Sequence, residues 1–457
     1  MELAKTLGLR DVVLFNVTAI VGLRWIAIAA AAGSTSITLW FAAMLLFFLP
    51  QGFAVMELTR RMPAEGGIYA WTRETFGEFH GFLAGWCYWT NNLVYFPGLL
   101  VYVAGVSVYV LGIGFRARGE DAGFVLVFSM SALVLVTLAN IFGLSTGKWI
   151  SNIGGLGTWL TGATLVVLAG IAAWRFGLAN AMPIDGFFAG LMSYEKLSFL
   201  SSICFAFAGL ELLPVLAGEV QEAERTIPRA VVIAGIAIAS IYTLGTLALL
   251  VALPAAEINI ISGIVQAIAA LSDRLGIPWA TNLLALLVTL GGIGGLMAWF
   301  TGAARIAFVA GVDRFLPAGF GKIHPRYGTP YVAVIVQAVV AMVFVLMSFV
   351  GASVEEAYLV LLDTTLLVYF IPYVYMFATQ LRVRTADPEA GRVGTLIGAA
   401  GLTTTLVAMV ISLLPPADVS SPWLYETKVV GGVGGFLGAG AFVYWREQRS
   451  RARSSRE

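Results

Sequence analysis

The chain has 457 residues, 59% of them hydrophobic and 12% charged, with a mean hydropathy of +0.88 and a formal net charge of +1. Soluble domains carry about 25% charged residues, so this chain has too little polar surface to cover a water-exposed core. Its near-neutral charge points away from nucleic acid, and its two cysteines, Cys87 and Cys204, sit inside apolar runs as small hydrophobes rather than as bridge or metal ligands.

A spanning helix needs about 20 apolar residues. Twelve runs qualify, at about 11–33, 36–57, 80–112, 123–142, 149–174, 197–217, 228–252, 280–310, 330–350, 355–380, 393–414 and 427–446. They are continuous, unlike the alternating segments of membrane barrels, so the expected fold is an all-α polytopic membrane protein. No basic region followed by a short apolar stretch and a cleavage site opens the sequence, so the first run is read as a span and not as a signal peptide. With both termini cytoplasmic, 20 Lys and Arg fall on inside loops and 6 on outside loops. That bias predicts cytoplasmic termini in a plasma membrane. The stretch WREQRSRARSSRE (445–457) is expected to be a disordered, basic inside tail.

Lipid cannot satisfy a free backbone N–H or C=O, so an interrupted span marks a protein contact or a water-filled cavity. The first run reads TAIVGLRWIAIAA (18–30), with Gly22 and then Arg24 at mid-span. The third contains GWCYWTNNLVYFPG (85–98), where Asn91, Asn92 and Tyr95 either line a pathway or bond neighbouring helices. The sixth reads CFAFAGLELLPVLAGE (204–219), with Gly209, Glu211 and Pro214 in close order. Glycine loosens a helix and proline kinks it. If the first ten spans form two five-helix halves, spans one and six correspond, and paired interruptions are the best pointer to a transporter's central site. No obvious sequence identity links the halves, so the repeat is inferred from position.

The eighth run contains VTLGGIGGLMAWF (288–300), whose glycines suit close helix contact; Thr289 there is a weak sodium candidate. The tenth carries Asp363. Arg24, Glu211 and Asp363 are ionisable groups deep in spans, a placement that usually signals function or mutual pairing. A carboxylate moved out of water binds a proton more readily, which makes Glu211, at the broken helix, a candidate proton carrier and Asp363 a second one. Arg24 either holds a substrate carboxylate or is the fixed partner of Glu211 or Asp363. His80 and His324, the two histidines, fall at loop edges.

Three loops carry a family pattern. ELTRRMPAEGGIYAWTRETFGEFHGFLAGWCYW (57–89) sets Glu57, Pro63, Gly66, Gly67, Tyr69, Gly85 and Trp86 in order. FAFAGLELLPVLAGEVQEAERTIPRA (205–230) runs Phe-x-Gly-x-Glu into Ile-Pro-Arg-Ala, and RIAFVAGVDRFLPAGFGKIHPRYGTPYVAV (305–334) is punctuated by Leu-Pro, His-Pro and Gly-Thr-Pro. Together these resemble the amino acid–polyamine–organocation superfamily over its first ten helices.

The resemblance implies the leucine-transporter-type fold: a ten-helix transport core at 1–380, with inverted repeats at roughly 11–174 and 197–380. Two peripheral helices would follow at 381–446, and the basic tail at 447–457. It implies an amino acid or related amine as substrate, held at Ile20, Val21, Gly22 and Leu23 and at Phe205, Phe207, Ala208, Gly209 and Leu210, with Arg24 and Asn91 nearby. It also matches Glu211 to a glutamate implicated in proton sensing. Trp25 and Phe207 flank the breaks as candidate aromatic gates. The chain departs from the pattern in two places. Gly22-Leu23-Arg24 replaces the usual small-residue nest, and Thr161 or Gly162 stands where many relatives place a lysine, with Lys148 too early to replace it.

The expected function is therefore secondary transport by alternating access, as proton-linked symport or exchange, in a lipid bilayer, with protons or sodium as possible partners and no cofactor. Arg24 motivates acidic substrates. An intramembrane enzyme would need a nucleophile and base or a metal cluster, which no helix supplies. A channel is the other alternative.

Overall fold

A computed structural model of the chain describes residues 8–62, 67–142, 144–180, 182–212, 220–312, 316, 318–350, 353–387, 391–415 and 419–454. Pro63, Gly66 and Pro214 lie outside them. The described residues form helices and no β-strand. The main helices are α1 (Leu9–Ile20), α2 (Leu23–Ala30), α3 (Thr35–Arg61, with a π-turn at Met44–Phe48), α4 (Ile68–Phe76), α5 (Glu78–Ser107), α6 (Ala122–Phe142), α7 (Leu144–Phe176) and α8 (Phe199–Ala206). They continue with α9 (Ala223–Ala252), α10 (Gly263–Arg274), α11 (Trp279–Val312), α12 (Tyr331–Ser348), α13 (Val354–Thr385), α14 (Arg392–Leu413) and α15 (Pro422–Ser454).

Eight of the described helices are long and apolar enough to cross a membrane, and Tyr331–Met347 is a shorter apolar one. The chain is an integral membrane protein. Helices dominate because each satisfies its own backbone groups without water.

The first apolar run is not one helix. α1 stops at Ile20 and α2 starts at Leu23, with Val21 and Gly22 outside both. The sixth run likewise stops at Ala206, and the chain resumes as a short 3-10 turn at Leu210–Leu212.

α5 and α13 pass antiparallel through the middle. Tyr88, near the start of α5, stacks on Tyr369 of α13 with ring centroids 5.5 Å apart. The second half of α5 instead brings Tyr102 near Tyr358, close to the start of α13. α7 and α11 touch backbone to backbone, as the glycines of 288–300 lead one to expect. A Cβ on Gly154 would stand 2.6 Å from the Gly294 Cα.

Three features differ from the sequence reading. Between the seventh and eighth apolar runs, at 253–279, the sequence reading places no helix, and α10 forms there. It is a helix whose apolar face, including Ile264, Val265, Ile268 and Leu271, is buried. α4 likewise fills part of an expected loop, burying Ile68 and Trp71. The basic stretch expected to be disordered continues α15 as a helix as far as Ser454. Arginine, glutamate and glutamine are good helix formers, so the polar end simply extends the apolar helix that precedes it.

Candidate functional site

The two interruptions meet. Gly209 has a positive φ of 135°, a conformation that disfavours any side chain. A Cβ there would stand 2.7 Å from the Ile20 Cγ1. Tyr242 of α9 ties the breaks together through one oxygen. Its hydroxyl donates to the Ile20 carbonyl at 2.7 Å, with the Ala206 carbonyl 3.1 Å away, and it accepts from the Gly22 N–H at 3.1 Å. One phenol thus partners the last carbonyl of α1, the last carbonyl of α8 and the backbone between α1 and α2. Tyr242 is held in turn by Trp40, stacked at 4.6 Å, whose Nε1 donates to Thr246 Oγ1 at 2.9 Å.

The start of a helix leaves N–H groups without an intrahelical partner, and its dipole favours an anion there. Leu23 and Arg24 open α2 in that way, with Gly22 as the N-cap in an extended conformation. Gly162 of α7 lies under this end; a Cβ there would meet the Leu23 Cδ2 at 3.6 Å.

Glu211 is 2% exposed and stands at the centre of a cluster of donors. Gln51 Nε2 donates at 2.9 Å and the Gly209 N–H at 3.0 Å to one carboxylate oxygen, and Tyr373 donates to the same oxygen. Tyr369 donates at 2.5 Å and Tyr88 at 3.3 Å to the other. The Tyr373 oxygen also accepts from Gln51 at 2.8 Å and from Gly209 at 3.0 Å. Among the described residues no cation takes part. Neutral donors from α3, α5, α13 and the break itself converge on one buried carboxylate.

Arg24 is 3% exposed and follows a different logic. Its guanidinium lies 4.3 Å from the Trp25 ring centroid and 4.5 Å from that of Tyr95, cation–π distances for both rings. Among the described residues no carboxylate comes within 4 Å of it. Glu211 and Asp363 are each bonded elsewhere, so Arg24 is not their ion-pair partner. Phe205 separates the two charged groups. Its ring meets Trp25 edge-on at 5.2 Å and Tyr369 edge-on at 5.1 Å.

The other expected residues are placed as follows. Asn91 is buried, with its side-chain oxygen unpartnered among the described residues. Leu210 is buried and Ala208 and Val21 are half-buried beside the breaks. Trp25 caps Arg24. Phe207 is packed among Trp40, Phe48 and Tyr242. The Thr289 hydroxyl donates to the Ala285 carbonyl of its own helix at 2.8 Å.

Asp363 is not gathered with the breaks. It accepts from the Tyr425 hydroxyl of α15 at 2.5 Å, on the stripe of α13 that carries Val360 and Leu367. That spacing is one face of a helix, and Tyr369 and Tyr373 lie off it. Among the described residues no group of three or more His, Cys, Asp or Glu stands close enough to hold a metal ion.

Sequence reasoning missed Gln51, Tyr88, Tyr242, Tyr369 and Tyr373. Gln51 had a signal, as the lone amide in the apolar stretch 36–55. Tyr242 had none, because a single tyrosine in an apolar helix is an ordinary interface residue.

Comparison with known proteins places this geometry among transporters. The family described as Amino acid permease matches residues 7–434. An uncharacterized transporter of Legionella pneumophila is 30% identical over 96% of this chain and 96% of its own. A probable agmatine/putrescine antiporter of Lactococcus lactis is 25% identical, over 87% of this chain and 84% of its own. A glutamate/gamma-aminobutyrate antiporter of the same species is 24% identical, over 82% of this chain and 77% of its own.

Proposed function

The chain belongs to the amino acid permease family of transporters, and on that premise we propose that it moves an amino acid or related amine across the plasma membrane by alternating access. The relatives are named as transporters and antiporters, which favours carriers over channels and intramembrane enzymes. The twelve apolar runs are read as twelve spans, with two inverted five-helix repeats within 1–380, two peripheral helices and both termini cytoplasmic.

The observation that carries this reading is the meeting of the two interrupted helices at Tyr242. Such a junction exposes helix-end N–H groups suited to a carboxylate and helix-end carbonyls suited to an ammonium. A zwitterion has both groups, set a few ångströms apart. Ile20 to Leu23 and Phe205 to Leu210 are the backbone segments that would grip it. Trp25, edge-on to Phe205, serves as an aromatic gate.

Alternating access needs one group of helices to move against another. The first, second, sixth and seventh spans would rock against the third, fourth, eighth and ninth. The Glu211 cluster joins both groups and α13, through Gln51, Tyr88, Tyr369 and Tyr373. Protonating Glu211 would force at least one of its donors to turn away. That makes it the proton-coupled element of the cycle, whether the protein works as a symporter or as an exchanger. Asp363 serves instead to bolt α15 to α13.

The test is transport by the purified protein in vesicles. Vesicles preloaded with an unlabelled amino acid or amine should accumulate the labelled compound by counterflow. A ligand also raises thermal stability by RT ln(1 + [L]/Kd), so a thermal-shift screen of amino acids and amines finds candidates first. Counterflow no greater than that of protein-free vesicles for every thermal-shift hit would sink the reading.

A further inference from the structure

The relatives' names span cationic amines and an acidic amino acid, so kinship leaves the charge of the substrate open. The charges at the centre of this chain do not. Glu211 is already served by five neutral donors. Arg24 is buried and has no carboxylate partner among the described residues.

Around Arg24 the structure supplies more donors than acceptors. The Tyr358 hydroxyl lies close against the guanidinium, and Tyr102 is within its electrostatic reach. Both tyrosines are buried, at 0% and 3% exposure, and neither hydroxyl makes a well-formed hydrogen bond among the described residues. Buried polar groups are nearly always satisfied. A guanidinium beside two phenols whose protons have no acceptor among the described residues is what an entering carboxylate would complete.

This group is distinct from the helix-end nest. The N–H groups of Leu23 and Arg24 lie at the break, whereas the guanidinium sits among side chains of α5 and α13. An arginine carries its guanidinium on a three-carbon stem, away from its own backbone N–H, so the two anchors can take two different carboxylates of one molecule.

We propose that the substrate is an amino acid with an acidic side chain. Its α-carboxylate rests at the α2 N-terminus, and its second carboxylate is held by Arg24 with the hydroxyls of Tyr102 and Tyr358. The Phe205 ring screens that carboxylate from Glu211. The proposal rests on the transporter reading above and adds the charge class of what is carried.

The experiment compares uptake of labelled L-glutamate, L-aspartate, L-glutamine, L-serine, agmatine and putrescine by the full-length protein in vesicles. The wild type should prefer the two acidic compounds. Arg24→Gln should lower their uptake by at least about 30-fold, the loss that follows removal of one partner of a buried charge pair. The same variant should lower L-glutamine uptake far less, so that the acidic preference is lost, and Arg24→Lys should keep part of that preference. The double variant Tyr102→Phe/Tyr358→Phe should raise KM for L-glutamate and not for L-glutamine, which keeps the proposal testable if Arg24→Gln does not fold.

A wild type that prefers neutral or cationic compounds overturns the proposal and leaves the transporter reading intact. So does a loss in folded Arg24→Gln that is equal for acidic and neutral substrates. Uptake of none of these compounds also overturns the proposal, whereas the transporter reading falls only if every thermal-shift hit fails counterflow as well.

Discussion

The Tyr242 hydroxyl donates to the Ile20 carbonyl at 2.7 Å, where the first helix stops. The same oxygen serves the Ala206 carbonyl and the Gly22 N–H, so one atom ties both interruptions. Tyr242→Phe keeps the ring stacked on Trp40 and removes only that atom. A buried backbone group left without a partner costs about 1–3 kcal/mol. The variant should unfold at a lower temperature in detergent and lose most of its transport. Thermal unfolding and counterflow, measured side by side, check this.

Gly209 presses on Ile20 from the other break. Gly209→Ala adds a methyl 2.7 Å from the Ile20 Cγ1 and forces a side chain into a φ of 135°. Overpacking of this kind costs about 1–3 kcal/mol, and the shift would widen the junction. Uptake should fall sharply. Ile20→Ala in the same chain should recover the part due to the clash and not the part due to the backbone. Full recovery would show that the conformation at Gly209 is dispensable.

Glu211→Gln preserves size and places an amide N–H₂ where two carboxylate oxygens now accept from Gln51, Gly209, Tyr88, Tyr369 and Tyr373. If the carboxylate carries the proton, wild-type uptake should rise as the external pH is lowered, and the variant should show a flat profile. Asp363→Asn is the control. Its partner is Tyr425 on α15, so it should lower thermal stability and leave the pH profile as it is. A flat profile for Asp363→Asn and an unchanged one for Glu211→Gln would reverse the two assignments.

Away from the centre, Glu57 of α3 and Arg384 of α13 form a buried ion pair at 2.5 Å, 5% and 8% exposed at the side chain. Gln380 adds a bond to Glu57 at 3.1 Å, and Arg61 reaches Asp387 at 2.7 Å. Arg61 also pairs with Glu57, at 3.1 Å, so Arg384→Met leaves the buried carboxylate one cation instead of two, a loss of about 1.5–3 kcal/mol. A clear drop in unfolding temperature is expected. Adding Glu57→Gln should restore part of it, because the half-paired carboxylate is then gone and Arg61 keeps Asp387. A double variant no better than the single one would mean that Arg384 acts through Gly391 and Thr395 instead.

The site was legible where its chemistry leaves a mark in one dimension. Gly22 and Gly209 stand out because few residues tolerate a broken span, and Arg24, Glu211 and Asp363 because charge in lipid is expensive. Their partners were not legible. Tyr88, Tyr369 and Tyr373 are common membrane residues whose meaning comes from a carboxylate on another helix. Asp363 and Glu211 look alike as letters. One faces α15 and the other the junction, and only the rotation of each helix about its own axis decides which.

By itself the sequence settled the class of protein, the places of the apolar runs and the two points where helices stop. Those follow from transfer free energies and backbone propensities, which are local sums along the chain. The tertiary structure alone decided which charges are paired and, among the described residues, that Arg24 meets no carboxylate. Pairing depends on distances between residues up to hundreds of positions apart, such as Gly22 and Tyr242, and packing sets those distances.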